Sequence, residues 1–404
     1  MRTFTTHPKP NYGIHEEGSL APPPSNCPDL TRRASEKYRE LSRHGQLLWE
    51  KGRRPPAAPA FSVRLSSPQR PFFARVTVRF FAWFTAAVLA LALLWATLAV
   101  AFAFPLAALR WPAALGFVAC VLGATYGFRR RPVIAGTVAF ALFGAVLAGW
   151  LALMPRNDRD WQPDMQKTPW AELDGDAVTL HNFRNTERRT ATDATVRWET
   201  RTFHLSALQH LDFYMVYWDS PHICHTMMSF DFGTEGCVCA SIEARREVGE
   251  NYSPLAGMFR RYELLYVLGS ERDVVRLRAG LHAATDRVYL FRLAADPEIV
   301  RALFLDYVRS ADELRTRPAW YDSLTTNCST VIREHVMTVY SGASWDWRIL
   351  ANGHLDERLY AQRLIDRSLP LSELKKRSLI NAAAIAAGDV PNFSRLIREG
   401  RPGF

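Results

Sequence analysis

The chain predicts an α+β fold, an antiparallel sheet with helices packed on it, preceded by a three-helix transmembrane region. Three observations carry this. Residues 80–109, 111–128 and 132–154 are three successive runs without a charged residue, and the first exceeds the ~20 apolar residues that cross a bilayer. Beyond residue 156, short alternating stretches recur between polar turns, as strands do. Long helical periodicity enters only from residue 296 onward. Strands followed by helices in one stretch of chain is the α+β arrangement.

The organisation follows from composition. Residues 1–79 read as a basic, Pro-rich tail, largely disordered and cytoplasmic, with "APPPSNCPDL" and "RRPPAAPA" as its markers. Residues 80–155 hold the three spans, too long and uninterrupted for a cleaved signal peptide, so they read as anchors. Residues 156–404 form the extracytoplasmic domain. The net charge of +10 is unevenly placed. Residues 1–79 carry 14 Lys+Arg against 6 Asp+Glu, residues 80–131 carry 4 Arg and no acid, and the remainder is nearly balanced at 32 against 34. Positive charge beside an apolar block is what membrane orientation requires, and no basic stripe is left for nucleic acid. With the tail and Arg129–Arg131 inside, three spans place everything after Pro155 outside.

Within the domain, "DAVTLHNFRN" and "TVRWETRTFHL" alternate like strands, and "FYMVYW" is a short apolar strand or helix start. "HTMMSFDF", the turn "GTEG" and "CVCASIEARRE" read as a hairpin. "YELLYVLG", "DVVRLRA" and "RVYLFRL" read as further strands. "DPEIVRALFLDYVRSADELRT" is an amphipathic helix that Asp296 can cap, with Pro297 in its first turn. A second helix runs from Cys328 to Tyr340, and "LSELKKRSLINAAAIAAG" is a third, ending at Gly388.

Six cysteines do not make a disulfide framework, and no CxxC pair has metal spacing. His222, Cys224, Cys237 and Cys239 are of zinc-binding type, but packed thiols or one local disulfide is the preferred reading, so no metal and no cofactor is called for. Cys328 differs from the others because "TTNCST" reads as a helix start, capped by Thr325, Thr326 or Asn327. A thiol at a helix N-terminus ionises more readily, and helix-start N–H groups can hold an oxyanion. Of the domain's histidines, His335 lies two turns along the same helix, about 10 Å away, too far to take the thiol proton. His225 sits inside a strand-like run where a polar residue is out of character, and is the better base.

The stretch from "HTMMSFDF" through "ASIEARREVGENYSPLAGMFRRYELLYVLGSERDVVRLR" to "WYDSLTTNCSTVIREH" resembles the Lnb N-terminal periplasmic domain family, the domain of lipoprotein intramolecular transacylases. "ELDGDAVTLHNFRN" and "PNFSRLIREG" extend the resemblance over roughly residues 160–400. It implies a circularly permuted papain-like fold in the periplasm of a bacterial inner-membrane protein. It implies Cys328 as nucleophile, His225 as general base and Glu243 as the acid orienting the ring. Arg245, Tyr252, Tyr262, Glu263 and Asn327 are the implied substrate-binding positions. Alternation puts Glu243, Arg245 and Glu247 on one strand face. The chain departs from the family in placing its spans before the catalytic domain. The expected activity is thiol acyl transfer or acyl hydrolysis on a membrane lipid or lipoprotein ester. The alternatives are a cysteine peptidase or amidase on cell-wall peptides, and a non-catalytic envelope module.

Overall fold

Charge-free apolar runs form helices because a backbone in hydrocarbon must satisfy its own hydrogen bonds. The computed structural model describes Arg39 and residues 72–404 apart from Asp219, Ser341, Ala343 and Ser344. The expected disordered tail lies, but for Arg39 and its last residues, outside the described residues. Helix α1 spans Phe72–Ala103, α2 Arg110–Gly127 and α3 Pro132–Leu151. Two helical stretches, Arg79–Ala103 and Pro132–Leu151, are long and apolar enough to cross a membrane. The expectation of three spans is thus met by two. Helix α2 forms where expected, but its 18 residues include Arg110, Pro112 and three glycines, which lower its apolarity. At 18 residues, about 27 Å, it lies near the lower end of the ~17–25 residues that span a bilayer.

Aromatic side chains tie these helices to one another and to the domain. Trp95 of α1 meets Phe143 and Trp150 of α3 edge to face, and Phe102 stacks on Phe259 of the domain at 5.7 Å. Arg260 donates from Nη1 to the carbonyls of Trp150, Leu151 and Leu153, closing the end of α3.

The domain is a sheet covered by helices on both faces. Its strands are β1 (Trp170–Asp174), β2 (Ala177–Arg184), the two-residue pair β3 (Glu187–Arg188) and β4 (Ala194–Thr195), β5 (Trp198–His204), β6 (His210–Tyr217), β7 (Cys224–Asp231), β8 (Cys237–Arg245), β9 (Glu263–Gly269) and β10 (Arg287–Leu293). The order is β1-β2-β9-β8-β7-β6-β10, with β5 also on β2. Pairing is antiparallel except for one parallel bridge, Arg184↔Gly269 between β2 and β9. The sheet is therefore mixed at one point where an antiparallel one was expected.

The helices of the domain are α4 (Pro254–Gly257), α5 (Glu271–Arg276), α6 (Pro297–Thr316), α7 (Cys328–Val339), α8 (Leu355–Ala361), α9 (Leu371–Ser378), α10 (Asn381–Ala387) and α11 (Phe393–Leu396). One core joins Met228, Phe230, Ala240 and Ile242 to Phe304 and Tyr307 of α6 and Val331 of α7. A second, on the opposite face, joins Met227, Cys239 and Val267 to Val275 of α5, Ala384 of α10 and Phe393 of α11. Burial on both faces is why these strands read as nearly continuous apolar runs.

Three local expectations are corrected. "DVVRLRA" is helical: Ser270 accepts from Asp273 N–H, Glu271 and Asp273 occupy the first turn, and a π-turn continues to Leu281. Its alternation misled because Val274 and Val275 are both buried against the sheet. The single C-terminal helix is two, α9 and α10, parted where Leu379 bridges Tyr289 and Ile380 N–H donates to Val288 O. Glu247 lies beyond the end of β8 and bridges Trp161, so it does not extend the face of Glu243. Helix α6 begins as the sequence indicates, with Asp296 accepting from Glu298 N–H and Pro297 at its first position.

Candidate active site

The site forms where two neighbouring strands part. The β7–β8 ladder runs only from Asp231↔Cys237 to Met227↔Ser241. Beyond it β7 stays paired with β6 as far as Tyr217↔Cys224, and β8 stays with β9 as far as Arg245↔Glu263. The two strands splay, leaving Cys224–Thr226 and Ile242–Ala244 on the sides of a cleft in the sheet. Helix α7 packs on β7 and β8, with Cys328 at its first position.

The helix start is built by "TTNCST". Asn327 Oδ1 accepts from the N–H groups of Ser329 and Thr330, and Thr330 Oγ1 accepts from Asn327 N–H, a complete capping box. Asn327 Nδ2 also donates to Ser323 O, tying the preceding loop to the cap. Gly257 permits that loop to close, since a Cβ there would collide with Ser323 Oγ. Asn327, expected to bind substrate, is occupied in holding the helix that presents the thiol. The N–H of Cys328 itself, at the first helical position, has no intrahelical acceptor.

His225 is buried on β7, on the face away from α7, with Ser241 and Glu243 beside it on β8. Its Nε2 lies 2.8 Å from Ser241 Oγ and 3.3 Å from Glu243 Oε1. Ser241 Oγ donates to Glu243 Oε1 at 2.6 Å, so it accepts from the ring and Nε2 carries the proton. The Cys328 sulfur sits at the same cleft, 3.8 Å from Ser329 Oγ and 4.0 Å from Cys224 O, and it and His225 act on one another's ionisation there. Burial opposes the imidazolium, but Glu243 and Cys328 outweigh it and push His225 up to about 10. Burial likewise opposes the thiolate, yet His225, aided by Thr226, brings Cys328 down to about 7. Burial works against the Glu243 carboxylate as well, and His225 overrides it, holding the carboxyl well below its usual range. The three groups stabilise one another's charged forms, and at neutral pH they favour a thiolate–imidazolium pair backed by a carboxylate.

Two further residues complete the arrangement, and neither was singled out from the sequence. Ser241 bridges ring and carboxylate; it stands two residues before Glu243 on the same strand face, which is the signal that could have found it. Asn352 clamps the start of β7 to the start of α7. Its Oδ1 accepts from Cys224 N–H, and Nδ2 donates to Cys224 O and Ser329 Oγ, at 2.7, 2.6 and 2.5 Å. The same Nδ2 lies 4.0 Å from the Cys328 sulfur. Gly353 allows this approach, because a Cβ there would meet the backbone of Pro221 and His222. No spacing rule in the sequence points to Asn352.

The other expected positions fall elsewhere. Arg245 is 2% exposed. It donates to Met165 O, Asn157 Oδ1 and Gln166 O and lies over the Trp161 ring, fixing the linker that enters the domain. Glu263 is 1% exposed and pairs with Arg159 at 2.9 Å; burial pushes its carboxyl up to about 7. Tyr262 is buried and its hydroxyl donates to Asn251 O. Tyr252 is partly exposed and shares a hydroxyl contact of 3.2 Å with Tyr321. The structure therefore brings together Cys328, His225, Glu243 and Asn327 and sets Arg245, Tyr262 and Glu263 into the frame around them. His335 is satisfied where it stands, with Tyr266 Oη at 2.6 Å and Asp306 Oδ2 at 2.8 Å.

Cys224, Cys237, Cys239 and Cys328 are free thiols. Burial pushes the first three well above the ordinary thiol value, while Cys328 alone is lowered. Among the described residues no group of three His, Cys, Asp or Glu side chains is placed to hold a metal.

Residues 194–353 match the family model of the Lnb N-terminal periplasmic domain. Over this stretch the chain is similar to that family. The match runs from β4 to the Asn352–Gly353 turn, so it contains both halves of the cleft, the histidine strand and the cysteine helix. No curated protein and no solved structure matches the chain. Together with the two apolar helices, the Lnb domain indicates a membrane-anchored periplasmic protein.

Proposed function

We propose that the protein is a cysteine-dependent acyltransferase or acyl hydrolase, acting on an ester of a membrane lipid or lipoprotein. In this reading all three helices, α2 included, cross the bacterial inner membrane, which puts the N-terminus in the cytoplasm and the domain in the periplasm. The fold reading that goes with it is a circularly permuted papain-like domain, in which the histidine strand precedes the cysteine helix. The observation that carries the reading is a buried thiol at a capped helix start beside the cleft that holds His225, whose ring lies 3.3 Å from Glu243 Oε1; His225 lowers that thiol to about 7 against its burial.

The steps follow from those groups. The Cys328 thiolate attacks the ester carbonyl carbon, and the oxyanion is held by the free N–H of Cys328. Collapse of this intermediate breaks the carbon–oxygen bond. His225 gives its proton to the departing alkoxide and leaves an acyl thioester on Cys328. An amine or water then attacks the thioester, His225 takes up the proton lost by that nucleophile, and the thiolate departs from carbon. The imidazolium–thiolate pair is restored. Glu243 and Ser241 keep the ring in the orientation that presents Nδ1, the third role of a triad. Asn352 has both amide hydrogens engaged, so its part is to hold β7 and α7 in register rather than to donate to the oxyanion. Tyr252, Tyr262, Glu263, Arg245 and Asn327 surround or support the site, and of these Tyr252 has the exposure to touch a substrate.

The test is covalent labelling of the purified full chain in detergent with a reactive lipid-ester probe. Wild type takes the label on Cys328, and Cys328→Ala does not; labelling that persists in this variant would sink the assignment. Release of fragments from purified cell-wall peptide, without any labelling by lipid esters, would replace it with the peptidase reading.

A further inference from the structure

A second cavity, separate from the thiol, lies where the apolar helices meet the domain. It encloses about 520 Å³, within the ~300–1,000 Å³ range of small-ligand sites. Its wall is made by the end of α1, the first residue of α2, the residues just after α3 and the domain loops that face them. Helices joined by short connections run antiparallel, so these ends share one level, where apolar helix gives way to polar domain. Trp320 lines this cavity, whereas its neighbour Tyr321 packs toward Cys328. The two sites are adjacent and distinct.

Five arginines and three carboxylates line it. Three of the arginines are already committed: Arg156 to Asp158, Arg159 to Glu247 and Glu263, and Arg261 to Glu250. Arg110 and Arg260 make no ion pair within 4.0 Å among the described residues, although the charges of Glu250 and Glu247 act on Arg110 from a distance. Arg110 spends Nε on Phe104 O, and Arg260 spends Nη1 on the three carbonyls at and just beyond the end of α3. A guanidinium has five N–H donors, so most of their donors remain. Both are half-buried, and Arg260 is held in place by stacking on Trp150 at 3.9 Å. Its backbone adopts φ 54°, a left-handed conformation that costs a non-glycine residue and is met at binding sites. The Trp150 indole N–H is itself buried without an acceptor. Asp160, the lining carboxylate without an ion pair, is exposed to water. Phe102, Ala152, Leu153 and Met154 make the apolar part of the lining, next to Arg260.

Two forked donors beside an apolar wall, at the level where a helix leaves the membrane, suit a phosphodiester carrying acyl chains. We propose that this cavity binds the headgroup of a membrane phospholipid, its phosphate gripped by Arg110 and Arg260 and its chains lying along the Phe102 side. This site does not depend on the acyl-transfer reading, since none of its residues touches Cys328 or His225.

The experiment is native mass spectrometry of the full chain in detergent, titrated with dioleoyl phosphatidylglycerol. Wild type and the control Arg309→Gln, at an exposed arginine of α6 outside the cavity, retain one lipid, while Arg110→Gln/Arg260→Gln binds it about tenfold more weakly or worse, with loss of two charge-assisted contacts. Unchanged affinity in a double variant that melts at the wild-type temperature would overturn the proposal. Displacement of the lipid by equimolar inorganic phosphate would overturn the lipid as the ligand. Should the double variant fail to fold, a phosphatidylglycerol with a diazirine on its acyl chain decides on wild type. Cross-links at residues 102–105 or 152–154 support the site, and cross-links confined to other segments refute it.

Discussion

Cys328 and His225 gain their chemistry from opposite faces of one sheet. Thr226 faces α7 and touches Ser329 at 3.3 Å, while His225, one residue earlier, faces Ser241 and Glu243. The parting of β7 and β8 beyond Met227↔Ser241 opens the sheet between the ring and the sulfur. The residue types were legible in the sequence: a cysteine after a helix cap, a histidine inside an apolar strand, an acid on the next strand. The splay was not, because alternation gives each side chain a face and says nothing about where a ladder stops. Asn352 was missed for that reason, being defined by the cleft, whereas Ser241 shares a readable strand face with Glu243. At this scale the expected outcome concerns Glu243. Its carboxylate is the largest influence raising His225, so Glu243→Gln lowers the imidazolium pKa. On the proposed acyl transfer, the alkaline limb of turnover, set in wild type by loss of the His225 proton near pH 10, then moves to lower pH. The acidic limb, set by Cys328, moves upward because the weakened imidazolium stabilises the thiolate less. A pH–rate profile with both limbs unchanged would remove Glu243 from the site.

Helix α7 is the element on which the site depends, and its start was the most readable feature of the chain. "TTNCST" names the cap, and the structure selects Asn327 from the three residues that could serve. Removing the cap by Asn327→Ala costs about 1 kcal/mol and frays the turn that carries the thiol. The expected result is a lowered unfolding midpoint with slower alkylation of Cys328, and Asn327→Asp restores both. An alanine variant that matches wild type in both would mean the cap is idle. Elsewhere, element type was harder to read when both faces of an element are buried. "DVVRLRA" alternates like a strand yet is α5, and its Ser270 cap was the signal against the strand reading. The break between α9 and α10 was invisible because Leu379 and Ile380 are set by pairing with β10, a contact more than 80 residues away in the chain.

For the whole molecule, charge placement and apolar runs gave a membrane anchor and an external domain, and the Lnb match supports the periplasmic part of that reading. The number of spans was less legible, since a charge-free run does not measure length against a bilayer. Orientation rests on all three helices crossing: with α2 crossing, the two termini lie on opposite sides. Alkaline phosphatase fused after Phe404 is therefore active in cells and a fluorescent protein fused there is dark, while the fluorescent protein fused before Met1 is bright. Both termini reporting the same side would mean that α2 does not cross.

The account turns on the ion pair between Cys328 and His225, and the rate of Cys328 alkylation by iodoacetamide as a function of pH measures it. In wild type the rate rises with a midpoint near 7, because His225 holds the thiol at about 7. In His225→Asn the midpoint moves up to or beyond the ordinary thiol value of 9.0, since burial is then opposed by Thr226 without the imidazolium. Coincident midpoints in the two proteins would contradict the dyad.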